Sequence, residues 1–180
     1  MRFSASATRR SLFQLLLALA ALGGTPSAWC DELPEYRLKA AFLYNFIAFT
    51  EWPPQVGSKL NLCIYGPDPF GAEIDGLNGK AVGTRTLAVQ RKADLDSVQG
   101  CQIVFVSRSA ISQLPRVLES MHGVPVLTVA DSPGAARQGA ALNMNLLQSR
   151  VSFEANLGAA RAAQLNLSSK LLSLATEVIQ

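Results

Sequence analysis

Three short, mainly apolar segments constrain the fold of this chain more than any other feature of its sequence. They lie at residues 60–65, 102–107 and 124–129 and are rich in Val, Ile, Leu and Phe. Segments of this length and composition are typical of strands in a parallel sheet that is covered on both faces. Because they alternate with helix-favouring segments, the sequence predicts an α/β domain.

Three segments are expected to be helical. Residues 35–49 (EYRLKAAFLYNFIAF) are rich in Ala, Leu and Lys, and Pro34 precedes them, as is common at a helix start. Residues 109–121 predict a second helix. Residues 158–179 predict a third, with a break near Asn166, where Ser168 would cap a further helical segment.

The end of the predicted sheet is expected to be antiparallel. Residues 151–156 (VSFEAN) alternate between apolar and polar, residues 140–147 alternate less regularly, and only a short turn separates them. That pattern predicts a β-hairpin. We therefore expect a single α/β domain over residues 35–178, with a mainly parallel sheet flanked by helices and an antiparallel C-terminal hairpin.

The first residues have the composition of a secretory signal peptide. Arg2, Arg9 and Arg10 precede an apolar run at residues 12–22, and small residues follow up to Ala28. The run is shorter than the ~20 apolar residues that span a bilayer. We expect a signal peptide at residues 1–28, cleaved near Ala28, and hence a periplasmic protein.

Details of export stay open at this stage. The paired arginines resemble a twin-arginine motif but also occur in ordinary signal peptides. An uncleaved N-terminal anchor is the alternative to cleavage. Lipidation of Cys30 is disfavoured because Trp29, rather than a small residue, precedes it.

The charge balance argues against a nucleic-acid partner. The chain has 16 basic and 13 acidic residues, a formal net charge of +3. Losing the three arginines of the leader lowers the basic count from 16 to 13, equal to the acidic count. Nucleic-acid binding needs clustered Lys and Arg to neutralise phosphates, and no such cluster follows the leader.

Two of the three cysteines lie in or beside predicted strands. Neighbouring sheet positions could bring Cys63 and Cys101 together as a disulfide, which an oxidising compartment would permit. Two buried free thiols are the alternative, and Cys30 has no obvious partner. With one His and no CxxC motif, the sequence predicts no metal site and no cofactor.

The first predicted helix is apolar nearly all round after Lys39. Such a helix is buried on more than one side or is covered by a partner. Leu38, Phe42, Phe46 and Phe49 are the expected partner or dimer face, although plain core packing explains them equally well.

No motif for catalysis is found. There is no GxSxG, no P-loop and no carboxylate pair of recognisable spacing, and His122 is expected to cap the end of a helix. We therefore expect a binding or regulatory protein rather than an enzyme. The alternative is a small-ligand-binding domain, or a weakly supported enzyme, with a pocket at the strand-to-helix turn Gly66–Gly71.

Several stretches together resemble the YfiR family of periplasmic proteins. These stretches are EYRLKAAFLYNF at residues 35–46, TEWP at 50–53, LCIYG at 62–66 with DPFG at 68–71, CQIVFVS at 101–107, VLTVAD at 126–131, VSFEANL at 151–157 and LSSKLL at 167–172. The resemblance extends in order over nearly all of the chain that follows the predicted leader.

The resemblance implies a periplasmic regulator that is often dimeric. Such a protein represses an inner-membrane diguanylate cyclase by binding its periplasmic sensor region, and an OmpA-like outer-membrane lipoprotein can draw it away. The output is cyclic-di-GMP level and hence biofilm formation. The resemblance also implies a Cys63–Cys101 disulfide. A second disulfide of some members is absent, because no Cys follows Cys101.

Overall fold

The structure of the protein is a computed structural model that describes residues 35–148 and 150–180. The predicted signal peptide and Cys30 lie outside the described residues. The described part belongs to one compact unit, Glu32–Gln180.

A single large sheet organises the described residues. It contains eight strands in the order β10-β8-β7-β6-β5-β2-β4-β3, and a separate two-stranded sheet pairs β1 with β9. The strands are β1 (Thr50–Glu51), β2 (Lys59–Tyr65), β3 (Ala81–Val82), β4 (Arg85–Lys92), β5 (Ile103–Val106), β6 (Leu127–Ala130), β7 (Leu142–Leu147), β8 (Arg150–Asn156), β9 (Asn166–Leu167) and β10 (Glu177–Ile179).

The centre of the sheet is parallel, as the apolar segments predict. Strands β4, β2, β5, β6 and β7 pair in parallel, and β5 and β6 are buried at every position. Strand β4 lies on one side of β2, and β5, β6 and β7 follow on the other side. This is the strand order of flavodoxin-like doubly wound sheets, whose chain changes direction between the first and third parallel strands, here β2 and β5.

Antiparallel pairs lie toward both ends of the sheet. The predicted C-terminal hairpin is present: β7 and β8 pair antiparallel from Leu142 opposite Ala155 to Leu147 opposite Arg150. At the opposite end β3 pairs antiparallel with β4. The fold prediction, a mainly parallel sheet with an antiparallel C-terminal hairpin, is confirmed.

Helices cover both faces of the sheet and enclose two apolar clusters. They are α1 (Glu35–Ala48), α2 (Ala72–Asp75), α3 (Leu114–Ser120), α4 (Leu157–Ala162) and α5 (Ser169–Leu172), with 3₁₀ segments at Asp96–Val98 and Arg108–Gln113. The larger cluster includes the inner residues of α1. The smaller includes Cys63, Cys101 and the inner residues of α3.

The prediction of a long C-terminal helix at residues 158–179 is wrong. Helix α4 ends at Ala162, and Gln164 has a positive φ of 57°, which interrupts helical geometry. Helix α5 is one turn long, and the Ser168 side chain caps it by accepting a hydrogen bond from Leu171 N, as expected. The last segment pairs with β8 as strand β10, so sheet pairing overrides the helical propensity of this region.

Candidate functional site

The change of direction between β2 and β5 is where doubly wound sheets usually bind ligands. Here the backbone at the end of β2 is closely packed against the segment that follows β5. Gly66 follows β2 with a φ of +87°, and a Cβ added there would lie 2.6 Å from Ala110 Cβ and 2.7 Å from Ser107 Oγ. The backbone after β2 therefore lies directly against the start of the 3₁₀ segment after β5.

The turn Gly66–Gly71, the alternative ligand site, is bound to β4 by one arginine. Arg91 donates from Nε to Asp68 Oδ2 and from Nη1 to Asp75 Oδ1, both at 2.8 Å, and from Nη2 to Gly71 O at 3.1 Å. The hydrogen bond to Asp75, followed by the one to Asp68, raises the pKa of Arg91. A cavity of about 340 Å³ touches Gly66 and Pro67. Asp68 and Asp75 already neutralise the charge of Arg91. We therefore interpret these contacts as a structural link between β4 and the turn that follows β2.

A buried ion pair joins α1 to the end of β6. Lys39 Nζ lies 2.8 Å from Asp131 Oδ2, and both side chains are fully buried. Tyr36 OH donates to the same carboxylate oxygen at 3.0 Å, and Lys39 also contacts Glu35. Arg108 donates to the Asp131 carbonyl oxygen at 3.1 Å. We call the buried pair Lys39 and Asp131, together with the partly exposed Glu35 and Tyr36 and the exposed Arg108 around it, the buried charge cluster.

The buried charge cluster holds two carboxylates and two cations, so its formal charges balance. Such balance matters because an unpaired buried charge costs several kcal/mol. Burial, then the negative charge of Asp131 and the hydrogen bond to it, raise the pKa of Tyr36, which therefore stays neutral and donates. Asp131 Oδ1 and the nearby Ser132 Oγ have no hydrogen-bond partner among the described residues. The cluster therefore joins α1 to the carboxyl end of β6.

The four residues predicted as a partner face separate into two groups. Phe46 is fully buried, with its ring centroid 4.9 Å from that of Phe153, so its assignment to an exposed face is wrong. Leu38, Phe42 and Phe49 are partly exposed. Phe42 packs edge-on against Phe46 and Phe153, and Lys170 lies over the Phe49 ring. What is left of the predicted face is Leu38, Phe42 and Phe49, which we call the α1 face.

The two cysteines of the predicted strands are bonded. Cys63 in β2 and Cys101, two residues before β5, form a disulfide across neighbouring strands, with their Cα atoms 6.0 Å apart. Both residues are buried in the smaller apolar cluster. The bridge closes a loop with a sequence separation of 38. It therefore ties the central strand to its neighbour from inside the fold.

Within residues 35–148 and 150–180, no group of three or more His, Cys, Asp or Glu side chains is placed to hold a metal ion. No helix in that part of the chain is long and apolar enough to cross a membrane. His122 is exposed beyond the end of α3.

The strand order defines a doubly wound α/β domain. The model of the YfiR/HmsC-like family matches residues 36–176, which is most of the chain. The protein therefore belongs to the YfiR/HmsC-like family, as the quoted sequence segments imply. Family membership places it among regulatory rather than catalytic proteins.

Comparison with one solved structure supports the fold. A structure from Streptococcus pneumoniae, described as an ABC domain in complex with L-Trp, is similar at 11% sequence identity and a TM-score of 0.55. The match covers 78% of this chain and 60% of that chain. A conserved domain protein from Vibrio cholerae matches at 8% identity and a TM-score of 0.49, covering 81% of this chain and 60% of that one. This chain thus spans about three fifths of both structures.

Sequence reasoning missed the buried charge cluster. Lys39 is the last charged residue before an apolar run, and Asp131 directly follows a buried strand. Considered alone, the sequence around Lys39 or around Asp131 is typical of a charged residue on the protein surface. The one local signal is the i,i+4 spacing of Glu35 and Lys39, which favours an ion pair on a helix. The contact to Asp131 depends on tertiary packing that the spacing does not contain.

Proposed function

We propose that this protein is a periplasmic regulator that represses an inner-membrane diguanylate cyclase by binding the cyclase's periplasmic sensor region. The outcome is a lower cyclic-di-GMP level and less biofilm. Membership of the YfiR/HmsC-like family carries this proposal. The leader-like sequence at residues 1–28 and the buried disulfide support an exported, periplasmic location.

The α1 face is the proposed contact surface for the cyclase. Leu38, Phe42 and Phe49 are partly exposed. Helix α1 carries the first two, ends one residue before Phe49 and is joined to the sheet by the buried charge cluster. A rigid, partly exposed apolar surface loses little conformational entropy on binding. An OmpA-like outer-membrane lipoprotein is the proposed antagonist that competes for the regulator.

A second copy of the chain is an alternative occupant of the same face. A homodimer through α1 would cover Leu38 and Phe42, and release from it would expose them to the cyclase. Sedimentation velocity of the full chain tests this: a Leu38→Asp variant is expected to shift a dimer toward monomer. An unchanged dimer would place the self-contact elsewhere.

The test of the proposal is capture of the cyclase. The tagged full chain, expressed in its host, is expected to co-purify with a membrane-anchored diguanylate cyclase. Leu38→Asp should abolish capture, because it places a charge in an apolar contact. Leu174→Asp is the matched control, since Leu174 is 66% exposed and lies outside the α1 face. Failure of the unmodified chain to capture any cyclase would overturn the proposal.

A further inference from the structure

The two edges of the large sheet are protected to different degrees. At one edge β3 pairs with the start of β4, and farther along β4 the Asn78 side chain accepts a hydrogen bond from Val89 N at 3.1 Å. At the other edge β10 pairs with β8 only over Glu154–Asn156. Among the described residues, the first part of β8, Arg150–Ser152, therefore has no neighbouring strand on its outer side. An open strand edge of this kind can pair with another chain.

Val151 presents a backbone donor and a backbone acceptor at this edge. Asn156 N donates to Ala141 O, so Asn156 and every second residue before it in β8 bond to β7. The N–H and C=O of Val151 consequently point away from β7, and neither has a backbone partner among the described residues. Phe153 O, the next outward acceptor, already bonds to Thr176 N at 2.8 Å. Val151 is thus the residue at which a further strand can pair.

Exposed apolar side chains surround the open edge. Leu146 lies opposite Val151 in the hairpin and is 41% exposed, and Leu147 is 70% exposed. Leu174, in the segment that leads into β10, is 66% exposed. Contiguous exposed apolar surface is typical of protein interaction sites. The backbone groups of β8 and the side chains beside them therefore favour a protein strand as the occupant.

A second copy of β8 that runs antiparallel to the first fits this edge. When Val151 lies opposite Val151 of the second copy, the two residues exchange both N–H···O=C hydrogen bonds across a two-fold axis. Leu146 and Val151 of each copy then form a row of four apolar side chains on one face of the joined sheet. The edge is therefore complementary to itself.

The charges of β8 favour the same pairing. Arg150 is exposed, and Glu154, which accepts a hydrogen bond from Asn143, is partly exposed on the same face of the strand. In the antiparallel pairing centred on Val151, Arg150 of one copy lies diagonally opposite Glu154 of the other, within reach of long side chains. A parallel, in-register pairing would instead place Arg150 beside its own copy, which is unfavourable. Charge complementarity thus selects the antiparallel arrangement.

We propose that the open edge of β8 pairs antiparallel with β8 of a second copy and joins the two eight-stranded sheets into one continuous sheet. The contact comprises two backbone hydrogen bonds, the apolar row and two exposed charge pairs. It is therefore small, and we expect reversible dimers rather than an obligate one. None of its residues belongs to the α1 face, so the inference extends beyond the proposed function and does not depend on it.

Sedimentation velocity of the full chain over a range of concentrations tests the proposal. The unmodified chain is expected to form dimers reversibly. Val151→Pro removes the outward N–H but leaves the hydrogen bonds between β7 and β8 in place, so it should weaken association by about tenfold or more. Val151→Thr is the matched control, because it keeps both the N–H and the β-branched shape, and it should associate like the unmodified chain.

Cysteine cross-linking provides a readout that does not require the proline variant to fold. In a Cys30→Ser background, Val151→Cys is expected to form disulfide-linked dimers several-fold faster than Val124→Cys. Val124 is the matched control because it is 48% exposed and lies between α3 and β6, away from the hairpin. Equal cross-linking rates at the two positions would overturn the proposal.

Two sedimentation results would also overturn it. One is a chain that stays monomeric at every concentration. The other is a dimer that Val151→Pro leaves unchanged while Val151→Pro keeps the circular dichroism of the unmodified chain. If Leu38→Asp abolished that dimer, the self-contact would lie on the α1 face instead.

Discussion

Lys39 and Asp131 are 92 positions apart in sequence, yet Lys39 Nζ lies 2.8 Å from Asp131 Oδ2 and neither side chain reaches solvent. The pair joins the first helix to the carboxyl end of a central strand. A buried ion pair is a poor source of net stability, but breaking it is costly. Any change that moves α1 relative to β6 would therefore separate the two buried charges.

Removal of one partner is the first prediction. Lys39→Met leaves Asp131 buried without its cation, so the free energy of unfolding is expected to fall by about 3–5 kcal/mol. Urea denaturation measures it. The matched control is Arg137→Met, which breaks the exposed pair with Glu177 and should cost about 1 kcal/mol or less.

The double variant Lys39→Met/Asp131→Asn separates loss of the pair from loss of packing. Neutralising Asp131 removes the unpaired charge, so the double variant is expected to be more stable than Lys39→Met alone. Additive effects of the two changes would show that the charges do not interact.

Tyr36 predicts a loss of stability at alkaline pH. Burial and Asp131 raise the pKa of Tyr36 in the folded protein. Its contribution is therefore complete below the ordinary tyrosine pKa of 10.0 and is lost as the pH rises above that value. The difference in unfolding free energy between the unmodified chain and Tyr36→Phe should shrink above pH 10. A constant difference up to the highest pH at which the protein folds would contradict this.

The disulfide predicts that the oxidised protein is much more stable to unfolding than the reduced protein. A loop with a sequence separation of 38 corresponds to roughly 4 kcal/mol in the chain-entropy model. Cys63→Ala/Cys101→Ala should therefore melt well below the unmodified chain, and reductant should lower only the melting temperature of the latter. Equal melting of both proteins without reductant would show that the bridge contributes little.

Substitution of Phe46 should lower folding stability, whereas substitution of Leu38 should weaken capture of the cyclase. Phe46→Ala creates a cavity in the core, so the expected cost is about 3–5 kcal/mol of unfolding free energy. Leu38→Ala should cost far less, because Leu38 is partly exposed. It should instead weaken capture of the cyclase. If the Leu38→Ala variant captured the cyclase as well as the unmodified chain does, Leu38 would not belong to the contact surface.

Gln164 offers a stabilising substitution. It adopts a φ of 57° directly after α4, a position that favours glycine. Gln164→Gly is expected to raise the free energy of unfolding by about 0.5–1 kcal/mol, since it removes left-handed strain at an exposed site. A lower melting temperature would mean that its side-chain contacts to Gln55 and Gly123 outweigh the strain.

Strands β2, β5 and β6 were predictable from the sequence because they are apolar at most positions. A fully buried parallel strand leaves that signature in a single segment, as residues 103–106 illustrate. The hairpin was predictable for a similar reason, since its alternation and turn are local.

The C-terminal segment was not predictable in the same way. Residues 169–180 contain both helix-favouring and strand-favouring stretches, and strand β10 forms because the edge of β8 is available at Glu154–Asn156. The buried charge cluster also arises from contacts between distant elements. Such contacts leave no periodic pattern, so only the structure reveals them.

Cyclic-di-GMP concentration in the native host is the measurement that tests the central claim most directly. Deletion of the gene is expected to raise cyclic-di-GMP several-fold over the parent strain, and expression of the full chain should restore the parental level. Expression of Leu38→Asp, which folds but lacks the proposed contact, should not restore it. An unchanged cyclic-di-GMP level in the deletion strain, with the cyclase present and active, would contradict the assignment of this protein as its repressor.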